Sequence, residues 1–386
     1  MTVSRLRQIP GIGVDRVGDA ADRAADPDML RLENLDTDLR PPAVAVEVTR
    51  AAVDSDEANS YLPFQGHDDL RRAAAAHVGR ISGTDIDWRA GCVGVAGGVN
   101  GGLNALLAVV EPGDEVVLVD PVYAGLVNRV LLVGGVPVFV PTEPGPDGWT
   151  LEPAALAAAV GERTAAVLMM GPVMPSGAVL DQAHWEALAE ACARHSAWLI
   201  YDAAMERIRF DGRPPSHPAR YADLADRTIT VGSASKELRM IGWRVGWVVG
   251  PPAIMADIGL VGLTNVVCQV GIAQRAVAAG LDAPDAAADM AAATAEWRRR
   301  SETVVAQLAG YPVARPHGGW SLLIDTVAMG MFPAEASQRL FDRGRVAATP
   351  MDGWGPSGTR YLRLVFANEP VGRLESLKDR FDATFG

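Results

Sequence analysis

Between residues 92 and 249, short apolar runs rich in Val, Ile and Leu alternate with Ala-rich stretches whose apolar positions recur every three or four residues. The runs predict strands over 92–96, 115–120, 137–141, 165–169, 197–202, 228–232 and 245–249, and the stretches predict helices over 101–110, 124–133, 153–160 and 182–195. Strands separated by helices pair in parallel through right-handed crossovers, and ligands gather at their carboxyl ends. The expected fold is therefore α/β: a large domain with a mostly parallel seven-stranded sheet flanked by helices. After residue 273 the pattern changes. A long helical run over 273–308, with a polar patch at 296–300, precedes a strand at 320–325, a helix at 333–343, a strand at 361–365 and a closing amphipathic helix at 371–385. This predicts a smaller α+β domain, to which the first forty or so residues return. We place the large domain at 45–280 and the small one at 1–44 and 281–386.

The composition narrows the function classes. With 386 residues, 49% of them hydrophobic and 21% charged, the chain is ordered and long enough for two domains. A net charge of −12 argues against nucleic acid or an anionic membrane as partner and for a small molecule. Cys92, Cys192 and Cys268 are odd in number, far apart and set in apolar surroundings, which suits buried reduced thiols rather than disulfides or zinc. The six histidines form no HExxH or similar ligand pair, so no metal is expected. The N-terminal residues lack a continuous apolar core and no uncharged stretch matches a bilayer, so the cytoplasm is the expected compartment. Lysine occurs only at Lys236 and Lys378.

That scarcity directs attention to Lys236, in the segment Ser233-Ala-Ser-Lys236 that follows a predicted strand, with Arg244 eight residues on. Its neighbours Val231, Met240, Ile241 and Trp243 are apolar. A lysine desolvated beside an arginine loses protons more readily and becomes an amine able to add to a carbonyl. Ser233 and Arg244 offer a hydroxyl and a planar fork suited to a phosphate. An exposed loop lysine with a structural arginine is the plainer alternative. Asp202 ends the apolar run Trp198-Leu-Ile-Tyr-Asp202, where a buried carboxylate needs a cation to stay ionised, although it could also cap a turn. Arg363 sits in Tyr361-Leu-Arg-Leu-Val365, on the face it shares with Tyr361 and Val365, which an edge-strand arginine would also do.

Taken in order, these motifs resemble the class I/II aminotransferases, the fold-type I enzymes that use pyridoxal 5′-phosphate. The resemblance runs from about Leu32 to Phe366. It includes Tyr61-Leu-Pro-Phe-Gln-Gly66 with Leu70-Arg71, Gly97-Gly-Val-Asn100, Pro112-Gly-Asp114, Asp120-Pro-Val-Tyr123, Pro175-Ser-Gly177, Asp202, Ser233 to Lys236, Arg244 and Arg363. It implies that Lys236 forms a Schiff base with the cofactor and then serves as the base that moves the Cα proton. It further implies that Asp202 keeps the pyridine nitrogen protonated and that Tyr123 covers a face of the ring. The backbone at Gly98, Val99 and Asn100, together with Ser233 and Arg244, would hold the phosphate at a helix N-terminus. Arg363 would clamp the substrate carboxylate, and Asn34 would lie near the substrate. Tyr61 would reach the phosphate of a neighbouring subunit, making the protein a homodimer with shared active sites. The implied reaction moves an amino group between an amino acid and a 2-keto acid.

Two positions depart from the family pattern. Met174 stands where an asparagine commonly donates to the cofactor's 3′-oxygen, and Met205 where a tyrosine hydroxyl does. The departures also leave room for another reaction of the same cofactor, such as β- or γ-elimination or substitution. A nucleotide-binding oxidoreductase is disfavoured: Gly11-Ile-Gly13 is followed by Arg16 rather than a third glycine, and no predicted strand precedes it. Hydrogen bonds to an anion favour the anion, so without them the phenolate holds the imine proton more firmly. The Lys236 Schiff base is therefore expected to remain protonated to unusually high pH in a spectrophotometric titration. An ordinary, low transition would rule this out.

Overall fold

The computed structural model describes residues 3–386. Its central sheet has seven strands: β1 (Cys92–Val95), β2 (Glu115–Asp120), β3 (Val136–Pro141), β4 (Thr164–Met170), β5 (Trp198–Asp202), β6 (Thr228–Ser233) and β7 (Gly246–Val249). Their spatial order is β1-β7-β6-β5-β4-β2-β3. Neighbours run parallel except at β7, which is antiparallel to both β1 and β6. The exception has a local cause. No crossover helix joins β6 to β7, only a loop with one 3-10 turn at Ile241–Trp243, so the chain reverses and pairs with the strand it has just left. Successive residues of β5, Leu199 and Ile200, are both fully buried, because helices cover both faces of the sheet. Helix α1 (Gly98–Val109) leaves the end of β1, and α2 (Ala124–Val133) follows β2.

A second core surrounds a three-stranded antiparallel sheet of β8 (Ser321–Asp325), β9 (Thr349–Pro350) and β10 (Tyr361–Val365), in the order β8-β10-β9. Strand β10 is thus the central strand, and Arg363 is paired on both sides, with Leu323 and Thr349. The edge-strand alternative for Arg363 is excluded by that register. Trp297, Trp320, Phe366 and Phe381 fill this core. The short strand Leu30–Arg31 adds in parallel to Val346–Ala347. Arg300, from the polar patch, is buried and donates to Asp38 (2.6 Å), Glu296 (2.8 Å) and the carbonyl of Ala367 (2.7 Å), so that patch is partly an internal clamp on the N-terminal segment.

Element boundaries differ from expectation where proline or tight turns intervene. The helical run expected over 273–308 is two helices, Gly271–Asp282 and Ala286–Gln307, because Pro284 has no N–H to carry the first across. The helix expected at 333–343 spans Pro333–Arg339 and continues as a π-helical turn over Leu340–Gly344, and the closing helix is interrupted between Leu374 and Leu377. Cys92 and Cys192 are buried and free, and burial pushes both thiols up to about 12; Cys268 is only partly buried. Among the described residues, no helix is long and apolar enough to cross a membrane, and no cluster of three or more potential metal ligands occurs.

One contact in the sheet supports the loop that carries Lys236. Gly232 of β6 is directly opposite Trp247 of β7, whose ring covers it; a Cβ at Gly232 would overlap the indole Nε1. Trp247 is itself buried and has no room to retreat. Gly232→Ala is therefore expected to destabilise the protein by about 1–3 kcal/mol, the usual cost of overpacking a core. Thermal unfolding of the variant measures this, and an unchanged midpoint would contradict it.

Candidate active site

At the carboxyl ends of β4, β5 and β6 a cavity of about 280 Å³ opens. Four charged side chains reach it from separate parts of the chain: Asp202 from the end of β5, Lys236 and Arg244 from the loop after β6, and Arg363 from β10. Among the described residues, none of the four forms a salt bridge. Asp202 and Arg363 are buried and Lys236 is half-buried, while Arg244 stays exposed; charges taken from water and left unpaired are costly, and proteins keep such groups mainly where a ligand will meet them.

Lys236 donates from Nζ to the carbonyl of Leu35 (2.7 Å) and lies 4.8 Å from the centre of the Trp320 ring. Burial lowers its pKa to about 7; the Arg363 and Arg244 charges add to the lowering, while Asp36 and Asp202 oppose it. Asp202 shows the reverse effect. Burial raises its pKa to about 6, against a hydrogen bond from the Ala204 N–H (3.0 Å) and the nearby charges of Arg129 and Lys236. The turn-capping alternative for Asp202 thus accounts for one carboxylate oxygen while the side chain still faces the cavity.

An anion cradle forms the floor. Helix α1 starts at Gly98, and the N–H groups of Gly98 and Val99 precede any intrahelical acceptor, while the Asn100 N–H already donates to the Gly97 carbonyl (3.1 Å). Gly97 adopts φ +88°, and a Cβ there would stand 2.6 Å from Arg244 Nη2, so only glycine lets the guanidinium close on the helix start. Arg244, at φ +54°, is steered by donation to the carbonyl of Ile241 (2.7 Å) and to Ser235 Oγ (3.3 Å). Gly98, Val99, Ser233 and Ser235 also line the cavity. Asn100 is turned away and accepts the Ala96 N–H (3.2 Å), which closes the turn before the helix. Beneath this floor Arg129 donates to the carbonyls of Val99 (2.8 Å) and Gly125 (2.6 Å), fixing the start of α1 against α2.

Arg363 is only 1% exposed. Its Nη2 donates to the Glu33 carbonyl and to Thr349 Oγ1 (3.4 Å), and its buried Nε has no partner. Burial lowers its pKa to about 10, a value that still leaves it cationic at neutral pH. The guanidinium carbon stacks 4.7 Å from the centre of the Trp354 ring. That indole meets the Tyr123 ring edge-on at 5.6 Å and donates to the carbonyl of Ile12 (3.1 Å). Tyr123, Met174 and Met205 line the cavity, both methionines being buried.

Two expected positions lie off this wall. The Asn34 side chain reaches Glu33 (3.5 Å) and packs near Gly18, leaving the adjacent Leu35 to face the cavity. Tyr61 is 83% exposed and outside the cavity of its own chain. Sequence reasoning passed over Ser235, although it belongs to the motif around Lys236, and Arg129, hidden in an ordinary helix. It also passed over Ile12, Val14 and Leu35, whose proximity to Lys236 arises only in three dimensions. Chemically, the cavity combines a free amine, a desolvated carboxylate, an anion cradle and a buried guanidinium with an open donor.

Comparison with known proteins gives one consistent result. The chain matches the family model for aminotransferase class I and II over residues 29–381. It is 35% identical over 354 residues to the arginine–pyruvate transaminase of Pseudomonas aeruginosa, covering 89% of this chain and 87% of that protein. N-succinyldiaminopimelate aminotransferase from Mycobacterium tuberculosis superposes with a TM-score of 0.92 at 29% identity over the whole of both chains. Aspartate aminotransferase from Thermus thermophilus with maleate superposes with a TM-score of 0.91 at 27% identity, covering 99% of this chain and 98% of that one.

The contrast between the two lysines provides a direct test of the site's electrostatics. A lysine is nucleophilic only when deprotonated, so Lys236 should react above about pH 7. Lys378, exposed and paired with Asp382, has its pKa raised. Competitive acylation followed by peptide mapping should show Lys236 modified with a midpoint near neutrality, and Lys378 only at much higher pH. Parallel profiles for the two would contradict the desolvation of Lys236.

Proposed function

This chain belongs to the class I and II aminotransferases, and on that footing we propose that its cavity binds pyridoxal 5′-phosphate and uses Lys236 to transfer an amino group between an amino acid and a 2-keto acid. The observation that carries the reading is the convergence on one cavity of Lys236, Asp202, Arg244 and Arg363, none of them in a salt bridge. The residues fit the cofactor. A cradle of first-turn N–H groups, Ser233, Ser235 and Arg244 suits a phosphate dianion. Asp202, buried and held near pH 6 by dehydration, gains a reason to ionise from a protonated ring nitrogen. Tyr123 offers a ring face for stacking.

When bound, the cofactor supplies an aldehyde that an amino group can occupy and a protonated ring that accepts the charge left when the Cα proton departs. The chain's own residues do the rest. Arg363, which lines the cavity, binds the substrate carboxylate through its guanidinium and so fixes the Cα–H bond toward Lys236. Lys236 takes the Cα proton at Nζ, and burial, which lowers its pKa, keeps the amine available for that role. The apolar walls at Met174 and Met205 exclude water that would compete for that proton.

The assembly belongs to the same proposal. Two copies would share their sites, with Tyr61 reaching across. Support comes from the exposure of Tyr61 and from other exposed apolar side chains, Phe64 beside it and Leu260 on the helix Pro252–Asn265. The division into a large unit over 45–280 and a small unit from 1–44 and 281–386 is supported by two main hydrophobic clusters, one centred on each sheet, which trade a few residues at their border: Met205 and Ile208 pack with the small unit, Met351 and Trp354 with the large one.

Acceptor dependence tests the reaction. Purified holoenzyme given one amino acid and no keto acid should release about one equivalent of keto product per site and stop, and added pyruvate should restart it. Sustained product without an acceptor would establish a lyase instead.

A further inference from the structure

We propose that the substrate pocket selects amino acids whose side chain is uncharged and apolar, aliphatic or aromatic. The inference rests on the reading of the site just given and extends it to the substrate class. Under that reading every charge on the cavity wall is already committed: Arg244 to phosphate, Asp202 to the ring nitrogen, Lys236 to proton transfer, and Arg363 to the α-carboxylate. What remains for a side chain to meet is Ile12, Val14, Leu35 and Ile241.

This wall is held in place rather than draped over the opening. Trp354 Nε1 donates to the Ile12 carbonyl (3.1 Å) and Asn128 Nδ2 to the Gly11 carbonyl (3.1 Å). The backbone groups are thereby satisfied, and the apolar side chains are free to face inward. Asp36, whose charge acts on Lys236, is exposed and off the wall, so it offers a solvated rather than a buried counter-charge.

Chemistry then decides between side chains. Each buried methylene gains about fourfold in affinity. A carboxylate or guanidinium would lose its water against these residues without gaining a partner, which costs at least about 100-fold. The selection therefore differs from what the names of two similar proteins indicate, one acting on arginine and one solved with the dicarboxylate maleate.

Binding of unreactive carboxylates to the holoenzyme, followed by calorimetry, tests this without turnover. From propanoate through pentanoate to 4-methylpentanoate, affinity should rise about fourfold per carbon, with 3-phenylpropanoate also tight. Succinate and 4-guanidinobutanoate should bind at least about 100-fold more weakly than 4-methylpentanoate. Val14→Asp, and independently Ile12→Ala, should flatten the rise with chain length. Arg363→Lys should weaken every carboxylate by a similar factor. If succinate, which would need a cation from a second copy, or 4-guanidinobutanoate binds as tightly as the apolar acids, the proposal is overturned while the site reading stands. If Arg363→Lys leaves all affinities unchanged, the carboxylate clamp and the site reading fail first.

Discussion

Four charges held close to one another without neutralising one another are the condition on which this structure is built. Lys236, Asp202 and Arg363 would be more comfortable in water or in pairs, and the fold largely denies them both, whereas Arg244 stays exposed and lacks only a charged partner among the described residues. Each is anchored by neutral groups instead: a backbone carbonyl for Lys236, a backbone N–H for Asp202, carbonyls and hydroxyls for the two arginines. Neutral anchors fix position while leaving charge unspent. The penalty falls on the free protein and is returned when a ligand of complementary charge arrives, which is what preorganisation means in a site of low dielectric.

Holding such groups apart requires rigid supports, and the fold supplies them from both cores. Asp202 and the Lys236 loop stand at the ends of adjacent strands, where parallel pairing sets their separation. Arg363 comes from the centre strand of the other sheet, and its register is fixed by partners on both sides. Trp354 connects these systems. Its ring lies against Arg363 and Tyr123 while its N–H holds the segment that carries Ile12. Asp120 adds a second link, accepting from the N–H (3.0 Å) and hydroxyl (2.8 Å) of Ser357 in the loop after Trp354. The clamp for a carboxylate, the aromatic cover and the apolar wall are therefore positioned by one indole and its immediate loop.

Much of this was legible in the linear sequence because the relevant residues sit at strand ends or just after them, where chain order and spatial order coincide. Asp202, Ser233, Lys236 and Arg244 fall at or just after the ends of two adjacent strands, and a hydrophobicity pattern locates those strand ends well. The antiparallel setting of β7 was not legible, since a run of Val residues looks the same in either direction. Nor was the apolar wall: Leu35 meets Lys236 across 201 positions, and Ile12 meets Trp354 across 342. The one-residue displacement from Asn34 to Leu35 has the same origin. Residues 33–35 form a bend just after the strand Leu30–Arg31, closed by the Asp36 N–H donating to the Asn34 carbonyl (2.8 Å), and which side chain such a bend turns inward is set only by the packing of the folded chain. Arg129 left no signal because a helix needs no arginine there; its use depends on a carbonyl 30 positions away.

The same charges also impose an order of events on Lys236. In the free protein burial brings the pKa of Lys236 down to about 7, and the Arg363 and Arg244 charges add to that lowering. A phosphate at Arg244 and a carboxylate at Arg363, the ligands proposed above, would cancel those two repulsions and by themselves raise the amine's affinity for a proton. Pairing of Asp202 with a ring cation works in the opposite sense, because it withdraws the carboxylate charge that had favoured the protonated lysine. The proposed ligands thus act on the lysine's proton in opposing senses, the phosphate and carboxylate favouring it and the pairing of Asp202 disfavouring it. Under the proposed function a single lysine serves two successive roles, and its charged neighbours change between them.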